Sequence, residues 1–158
     1  MHLFFRFARP ALIGITASAL ALGGTLAVAQ SSASTVIAKR QANYKKMGGA
    51  LKTLKDELAK SSPSRAVTIK ASQTLANTAK LQVGLFPAGS GPEAGVKTDA
   101  LPNIWTDRGD FNAATNNLIS ESAKLAAVAK TGTKAEITAQ YRETGKSCGA
   151  CHRQFRKD

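Results

Sequence analysis

The sequence predicts an all-α fold, a four-helix bundle with up-down-up-down topology, from three observations. Apolar residues recur at alternating spacings of three and four along three long segments, which is typical of helices that pack at shallow angles. No segment has the strict alternation of apolar and polar residues that marks a half-buried strand. Two of the three connections are short, so consecutive helices should run antiparallel.

The first two helices are delimited by apolar spacing and by turn residues. The first is predicted from about Ser34 to Leu58. The second should begin near Ser62, which would act as the N-cap, with Pro63 at the first helical position. It should end before Gly84. The stripe of the first helix that faces the core comprises Ile37, Arg40, Tyr44, Met47, Leu51, Leu54 and Leu58.

The third and fourth helices follow a longer connection. The third starts after Pro102, and the fourth begins at Thr133, where Glu136 completes a capping box. The connection over residues 84–101 is rich in Gly and Pro, and two interpretations of it stay open. It is either a plain crossover or a pocket wall that carries Phe86.

Residues 148–152 read Cys-Gly-Ala-Cys-His, which is the attachment signature of a c-type haem. On a helix, positions i, i+3 and i+4 share one face, so the three functional side chains point the same way. Cys148 and Cys151 are therefore predicted to bond the two vinyl groups of one porphyrin. His152 is predicted to be the axial iron ligand. The expected cofactor is haem c, one per chain and covalently bound.

Three other interpretations of the motif fit the chain less well. A chance match is opposed by the helical context and by the predicted export of the chain. A thiol oxidoreductase would place its Cys-x-x-Cys at a helix start beside a βαβ unit, whereas this motif lies near the C-terminus of a chain without strand-like segments. A zinc site would be incomplete, because two cysteines and one histidine leave a tetrahedral ion one ligand short.

Residues 1–29 have the features of a secretory signal peptide. Two arginines precede an apolar run over residues 11–26, and Ala-Val-Ala at 27–29 forms a small-x-small cleavage site. A membrane anchor is less compatible with the sequence, because the run has 16 residues and a span needs about 20. Cleavage after Ala29 would send the chain to the periplasm and leave residues 30–158 as one domain, with no segment able to span a membrane.

The predicted mature chain is strongly basic. The formal net charge of +12 falls to +10 once Arg6 and Arg9 are removed. Such a charge can indicate nucleic-acid binding, but export argues against that partner. Acidic partner proteins, anionic surfaces or simple solubility explain the charge better.

Removal of the signal peptide also limits the iron ligands. His2 and Met1 are lost with it, so His152 is the one histidine that remains and Met47 the one methionine. Two histidine ligands from one chain are therefore excluded. Either Met47 binds the iron or the sixth coordination position has no strong protein ligand.

Arg40 is unusual because it places a cation in the middle of an apolar stripe, which is costly unless the charge is paired. A haem propionate is a ready partner, and a surface carboxylate or a side chain that extends to solvent is the alternative. The candidate lining residues of the haem pocket, each of which could equally be ordinary core, are Tyr44, Met47, Phe86, Trp105, Phe111, Tyr141 and Phe155.

Four segments make the chain similar to the cytochrome c′ family, the four-helix class of c-type cytochromes, over nearly all of residues 30–158. The haem motif alone indicates only a c-type cytochrome, but its C-terminal position joined to the other segments is much more specific. Phe155 is one departure, because tyrosine is common there in the family. The segments are Arg-Gln-Ala-Asn-Tyr-Lys at 40–45, Leu-Phe-Pro at 85–87, Ala-Leu-Pro-Asn-Ile-Trp at 100–105 and Cys-Gly-Ala-Cys-His-Arg-Gln-Phe-Arg at 148–156.

The resemblance implies roles for five further residues. Arg40 and Gln41 match the family's haem-contacting pair, with Arg40 near a propionate. Tyr44 matches the position that covers the distal face of the iron. Leu101 lies in the segment that passes the haem edge, and Arg156 matches the basic residue one turn beyond the axial histidine, on the proximal side.

The resemblance also implies five-coordinate iron that binds nitric oxide and carbon monoxide. The leading hypothesis is a periplasmic haem protein, not an enzyme, that binds such small diatomic ligands, carries electrons, or does both. The alternative is a low-spin electron-transfer cytochrome with Met47 as the sixth ligand. A peroxidase would need a distal acid–base group, commonly histidine, and none remains.

Two protein partners are expected. One is a redox partner protein, and the other is a second copy of the chain, since family members are usually homodimers. We expect the dimer to form mainly through the first helix, where Val36, Ala50 and the pair Gly48-Gly49 offer small or apolar surface. Lysines on the same helix would repel each other, so the contact should strengthen as salt rises.

Overall fold

The computed structural model describes residues 23–157, with side chains described from residue 32 onward. This part of the chain forms the predicted all-α, four-helix bundle in up-down-up-down order and contains no β-strand. Its first and second long helices pack together, the second packs on the third, and the third packs on the fourth. The helices are α1 (Gly23–Ala59), α2 (Arg65–Leu81), the short α3 (Asn103–Thr106), α4 (Arg108–Thr131) and α5 (Lys134–Phe155).

Helix α1 is longer than the sequence predicted. It starts at Gly23 rather than near Ser34, and it ends at Ala59, one residue beyond the expected end. The predicted signal peptide covers residues 1–29, of which residues 1–22 lie outside the described residues, so its cleavage stays a prediction. Within residues 23–157 no helix is both long and apolar enough to cross a membrane.

The predicted start of the second helix at Ser62 and Pro63 is wrong by two residues. Ser64 is the N-cap, because its backbone is extended and its side chain accepts a hydrogen bond from the Val67 N–H. The Glu57 carboxylate also accepts a hydrogen bond from the Ser64 N–H at 3.0 Å. Both interactions fix Ser64 outside the helix and leave Pro63 in the connection.

The predicted third helix is divided, and the predicted fourth helix is confirmed. A break at Asp107, with φ −107° and ψ 51°, separates α3 from α4. The Thr133 side chain caps α5, and Glu136 returns the interaction by accepting a hydrogen bond from the Thr133 N–H at 2.7 Å. This capping box fixes where α5 begins and therefore which face its C-terminal half presents to the bundle.

Two apolar clusters hold the bundle together. The larger includes the fully buried Leu54, Leu75 and Leu125, from α1, α2 and α4. The smaller is aromatic, and it joins the segment after α2 to α4 and α5 through Phe86, Ile104, Phe111 and Phe155. Ring centroids lie 4.7 Å apart for Phe86 and Phe111 and 5.3 Å apart for Phe111 and Phe155, in edge-on geometry. Tyr44 packs against both clusters, so α1 contributes to their junction.

The crossover, defined as residues 84–101, is tied to the C-terminal end of α5. The Leu101 N–H donates to the Phe155 carbonyl at 3.0 Å, and the Lys157 N–H donates to the Asp99 carbonyl at 2.7 Å. The Asn103 side-chain amide also donates to the Gln154 carbonyl at 2.9 Å. These hydrogen bonds hold the crossover beside the haem motif.

Candidate haem site

A cavity of about 380 Å³ lies where α1, the crossover, α4 and α5 meet. Its volume is within the usual range for small-molecule and cofactor sites. Cys148, Cys151 and His152 line it from α5, and Tyr44 and Met47 line it from α1. The predicted haem-attachment residues and the predicted distal residues therefore share one cavity.

The α5 wall carries the donor atoms. The two cysteines form no disulfide with each other and are partly buried, and burial raises the pKa of each thiol. Burial, followed by the neighbouring Arg156 charge, lowers the pKa of His152. The neutral imidazole that a metal needs is thus favoured at this position.

The α1 wall carries Tyr44 and, one helical turn on either side of it, Gln41 and Gly48. Burial is the largest effect that raises the pKa of Tyr44 well above its ordinary value, and the neighbouring Cys151 acts in the same direction. The Tyr44 hydroxyl therefore stays protonated and can donate a hydrogen bond. Gln41 is exposed, and its amide donates to the Lys97 carbonyl of the crossover at 3.1 Å.

Arg40 lies in the cavity wall with 2% of its surface exposed. Its guanidinium donates to the Ser90 carbonyl at 3.0 Å, to Thr98 Oγ1 at 3.1 Å and to the Leu85 carbonyl at 3.3 Å. It also lies 4.4 Å from the centre of the Phe86 ring. Burial lowers the pKa of Arg40, but a guanidinium stays protonated in proteins. The crossover thus stabilises this buried charge, and its contact with a propionate stays a prediction.

Met47 is also buried and lines the cavity, with 4% of its surface exposed. Its Sδ accepts a hydrogen bond from Nε2 of Gln82 at 3.2 Å. Gln82 is 1% exposed, and its Oε1 has no hydrogen-bond partner. The Met47 thioether thus already has a buried hydrogen-bond donor, the Gln82 amide.

The crossover contributes a wall of its own, which resolves the question that the sequence left open. Phe86, Thr98, Asp99 and Ala100 line the cavity. Leu101 is next to this wall but does not line the cavity; its backbone N–H bonds the end of α5.

The remaining predicted positions divide into two groups. Arg156 lines the cavity and is exposed, and Phe111 and Phe155 line it as buried rings. Trp105 and Tyr141 do not line it. Trp105 packs against Phe86 and donates its Nε1–H to the Pro87 carbonyl at 2.9 Å. Tyr141 packs against the larger core cluster.

Seven lining residues were not assigned to the site by sequence reasoning: Gly48, Leu51, Thr98, Asp99, Ala100, Ile104 and Leu118. Leu51 was assigned only to the core stripe, and Gly48 only to a dimer surface. Both continue the spacing of three and four from Tyr44, so the same stripe contained a signal for them. Asp99 had no such signal, because a crossover has no periodicity that relates its residues to a cavity.

The residues present fit a covalent haem. Two thiols and an imidazole occupy one face of α5, aromatic rings and aliphatic side chains form the walls, and Arg40 and Arg156 supply positive charge for carboxylates. In residues 23–157 no three His, Cys, Asp or Glu side chains are arranged to hold a metal ion by themselves. The class that the fold and site define is a four-helix c-type haem protein.

Comparison with known proteins gives the family. The family profile described as Cytochrome C' matches residues 35–156. Cytochrome c' from Rhodopseudomonas palustris is 34% identical over 147 residues, which are 91% of this chain and 94% of that protein. The chain belongs to the cytochrome c′ family, so its cofactor is covalently bound haem c.

Solved structures agree with this assignment. Cytochrome c' from Rubrivivax gelatinosus has a TM-score of 0.73 and 27% identity, and the match covers 79% of this chain and 97% of that chain. The nitric oxide complex of a cytochrome c prime variant from Alcaligenes xylosoxidans has a TM-score of 0.70 at 24% identity, covering 78% of this chain and 94% of that one. The second of these shows likeness of fold alone.

Proposed function

We propose that this protein is a periplasmic cytochrome c′ whose haem iron is five-coordinate and binds small neutral diatomic gases, with nitric oxide and carbon monoxide as the first candidates. Cys148 and Cys151 would attach the haem, and His152 would be the axial ligand. When bound, the haem supplies an iron with one free coordination position. The protein's own residues decide what reaches that position.

The observation that carries this proposal is the composition of the α1 wall. It presents a protonated phenol at Tyr44 and no imidazole to the cavity. The aromatic rings of the crossover, α4 and α5 form an apolar part of the remaining walls, and the buried Arg40 charge is already hydrogen-bonded to the crossover. Burying an unpaired charge in such surroundings is expensive, so neutral diatomics are favoured over anions. A solved cytochrome c′ of this fold holds nitric oxide, which makes this gas the natural first ligand to test.

Electron transfer with Met47 as the sixth ligand is the second candidate. It is favoured by one observation, which is that Met47 lines the cavity. The Gln82 amide opposes it, because any movement of the sulfur toward the iron that broke the buried N–H···S hydrogen bond would leave the amide without a partner. We therefore propose gas binding as the main role, with no catalytic turnover.

Titration of the purified holoprotein tests this proposal. Ferrous protein should bind one carbon monoxide or nitric oxide per haem, whereas ferric protein should bind azide or fluoride weakly at neutral pH. No spectral change with either gas would overturn the proposal.

Fractionation of the native host would test the location, and recovery of the chain in the cytoplasm with its first 29 residues still attached would contradict export.

We also propose a homodimer, but the predicted patch on the first helix needs correction. Ala50 is buried in the larger core cluster and so belongs to no outer face, whereas Gly48 and Gly49 are exposed. Large apolar side chains are also exposed at the end of α2 and just beyond it, where Leu81 is 59% and Val83 is 58% exposed. Sedimentation across a salt series should show association that increases with salt, and a monomer at every ionic strength would refute the dimer.

A further inference from the structure

Four basic side chains lie beside the candidate haem site without lining its cavity. They are Lys45 on α1, Lys97 in the crossover, Arg153, which follows the cavity-lining His152, and Lys157, just beyond α5. All four are exposed, and we call this set the basic rim. Because no rim residue lines the cavity, the exposure of the rim does not depend on what the cavity holds.

Hydrogen bonds place the rim residues on neighbouring elements. The Lys97 carbonyl accepts a hydrogen bond from the Gln41 amide at 3.1 Å, and Lys45 follows Gln41 by one helical turn, on the same side of α1. The Lys157 N–H donates to the Asp99 carbonyl at 2.7 Å, so the tail after α5 lies beside the same stretch of the crossover. The rim therefore joins α1, the crossover and the end of α5 in one surface.

Few carboxylates are available to neutralise this surface. Residues 32–55 contain six basic and no acidic residues, and residues 144–157 contain four basic and no acidic ones. Asp99 is the one carboxylate among the cavity-lining residues. Arg40 and Arg156 line the cavity and would match the two propionates of a bound haem, which leaves the rim charges uncompensated. The ion pairs of the described residues involve other lysines, namely Lys52, Lys60, Lys124 and Lys146.

The side chains around the rim favour one class of anionic partner. Binding to a membrane surface uses exposed apolar side chains in addition to charge. The exposed large apolar side chains of the described residues, Val67, Leu81 and Val83, belong instead to α2 and the turn after it. A second copy of the chain placed on the rim would bring like charges together. A carboxylate-rich protein surface needs only complementary charge, which suits the small, weak complexes of electron-transfer proteins.

We propose that the basic rim is the docking surface of an acidic protein that carries a one-electron redox centre. The inference rests on the proposed gas binding, which uses ferrous iron, and it names the class of partner that keeps the iron ferrous. In each encounter the partner's centre would lose one electron, and the ferric haem iron would gain it. The rim would attract the partner's carboxylates to the side of the protein where the haem is bound.

Oxidation of the ferrous holoprotein by small charged oxidants tests the rim. Ferricyanide, an anion, takes one electron and becomes ferrocyanide, whereas tris(phenanthroline)cobalt(III), a cation, takes one electron and becomes the cobalt(II) complex. Measurements at about 0.1 M ionic strength confine the effect to charges within about 10 Å. The variant with both Lys45→Glu and Lys97→Glu should react at least about fivefold more slowly than wild type with ferricyanide and faster with the cobalt complex.

Lys70→Glu combined with Lys130→Glu is the matched control, because it changes the net charge by the same amount. Both lysines are exposed and do not line the cavity. They lie toward the other end of the bundle, where the start of α2 meets the end of α4 and Arg65 donates to the Ala129 carbonyl at 3.2 Å. The control should stay within about twofold of wild type with both oxidants. Equal effects of the rim and control variants would overturn the proposal.

Carbodiimide coupling of the holoprotein to poly-L-glutamate, mapped by mass spectrometry, gives a readout that does not depend on the iron. Cross-links should concentrate at Lys45, Lys97 and Lys157 and be rare at Lys70 and Lys130. An even distribution over these lysines would overturn the proposal. Binding to phosphatidylglycerol vesicles at the same ionic strength, present in wild type and lost in the rim variant, would overturn it in favour of a membrane surface. If wild type binds no gas but the rim variant alone loses reactivity with ferricyanide, the proposed function fails and the docking surface stands.

Discussion

Helices α5 and α1 face the same cavity with different chemistry. Helix α5 brings two thiols and an imidazole to it at positions 148, 151 and 152, each of which can form a strong bond to a haem. Helix α1 brings a guanidinium, a phenol and a glycine, at Arg40, Tyr44 and Gly48. One wall carries the groups that can attach the cofactor, and the other borders the space next to them.

Two buried side chains of the α1 wall, Arg40 and Met47, already have hydrogen-bond partners within the protein. Arg40 is bonded to the crossover through Ser90 and Thr98, and Met47 accepts a hydrogen bond from Gln82. Met47 could bind the iron from this wall only by moving its sulfur away from the buried Gln82 amide. The number of protein ligands on the iron therefore depends on what α1 withholds as well as on the imidazole that α5 offers.

The largest expected effect follows from removing the donors of the α5 wall. Cys148→Ala combined with Cys151→Ala should abolish covalent attachment, and each single change should weaken it, because the thiols form the bonds to the vinyl groups. Mass spectrometry of exported protein should show one haem on wild type and none on the double variant. Covalent haem on the double variant would place the attachment site elsewhere in the chain.

Removing the buried cation of the α1 wall should destabilise the fold. Arg40→Ala leaves buried carbonyl groups of the crossover without a donor, and we expect the free energy of unfolding of the holoprotein to fall by about 3 kcal/mol in denaturant titrations. Arg40→Lys should recover only part of this loss, because an ammonium cannot reproduce the planar set of donors.

Arg65→Ala is the matched control for Arg40→Ala. Arg65 also donates to backbone carbonyls, those of Ala129, Lys130 and Gly132, but it is exposed and does not line the cavity. Its loss should lower the free energy of unfolding by about 1 kcal/mol without altering the haem spectrum. A loss of stability in Arg40→Ala no greater than in Arg65→Ala would show that Arg40 does not hold the crossover.

A smaller effect is expected at Tyr44. Tyr44→Ala should raise the carbon monoxide association rate roughly tenfold, equivalent to about 1.4 kcal/mol of barrier, because the ring occupies space in the cavity. Tyr44→Phe keeps the ring and removes the hydroxyl, so it separates bulk from hydrogen bonding. Flash photolysis measures both. Unchanged rates in Tyr44→Ala and Tyr44→Phe would show that the tyrosine does not control access.

The sequence predicted the bundle and the α5 wall because both follow from helix periodicity. The capping box at Thr133 and Glu136 fixed the start of α5, and the spacing of residues 148, 151 and 152 fixed their common face. The N-cap of α2 was misplaced because the choice between Ser62 and Ser64 depends on Glu57, a residue of the preceding helix. The residues around Ser62 and Ser64 alone do not predict this hydrogen bond to Glu57.

The partners of Arg40 show a second limit of sequence reasoning. Its position in an apolar stripe correctly indicated a buried charge that needs a partner. The groups that satisfy it lie 50 and 58 residues further along, at Ser90 and Thr98. The crossover has no repeating spacing, so its sequence does not predict which of its residues face Arg40. Only the structure shows these contacts. The place of Gly48 in the cavity wall was missed for a different reason, since a glycine within a stripe resembles a simple interruption.

Resonance Raman spectroscopy of the ferrous holoprotein at neutral pH, on wild type and Met47→Leu in parallel, tests the central claim most directly. The α1 wall offers no imidazole, and its thioether is bonded to Gln82, so both proteins should show the same five-coordinate, high-spin markers. Six-coordinate, low-spin markers in wild type that disappear in Met47→Leu would contradict the account and establish the methionine-ligated electron carrier in its place.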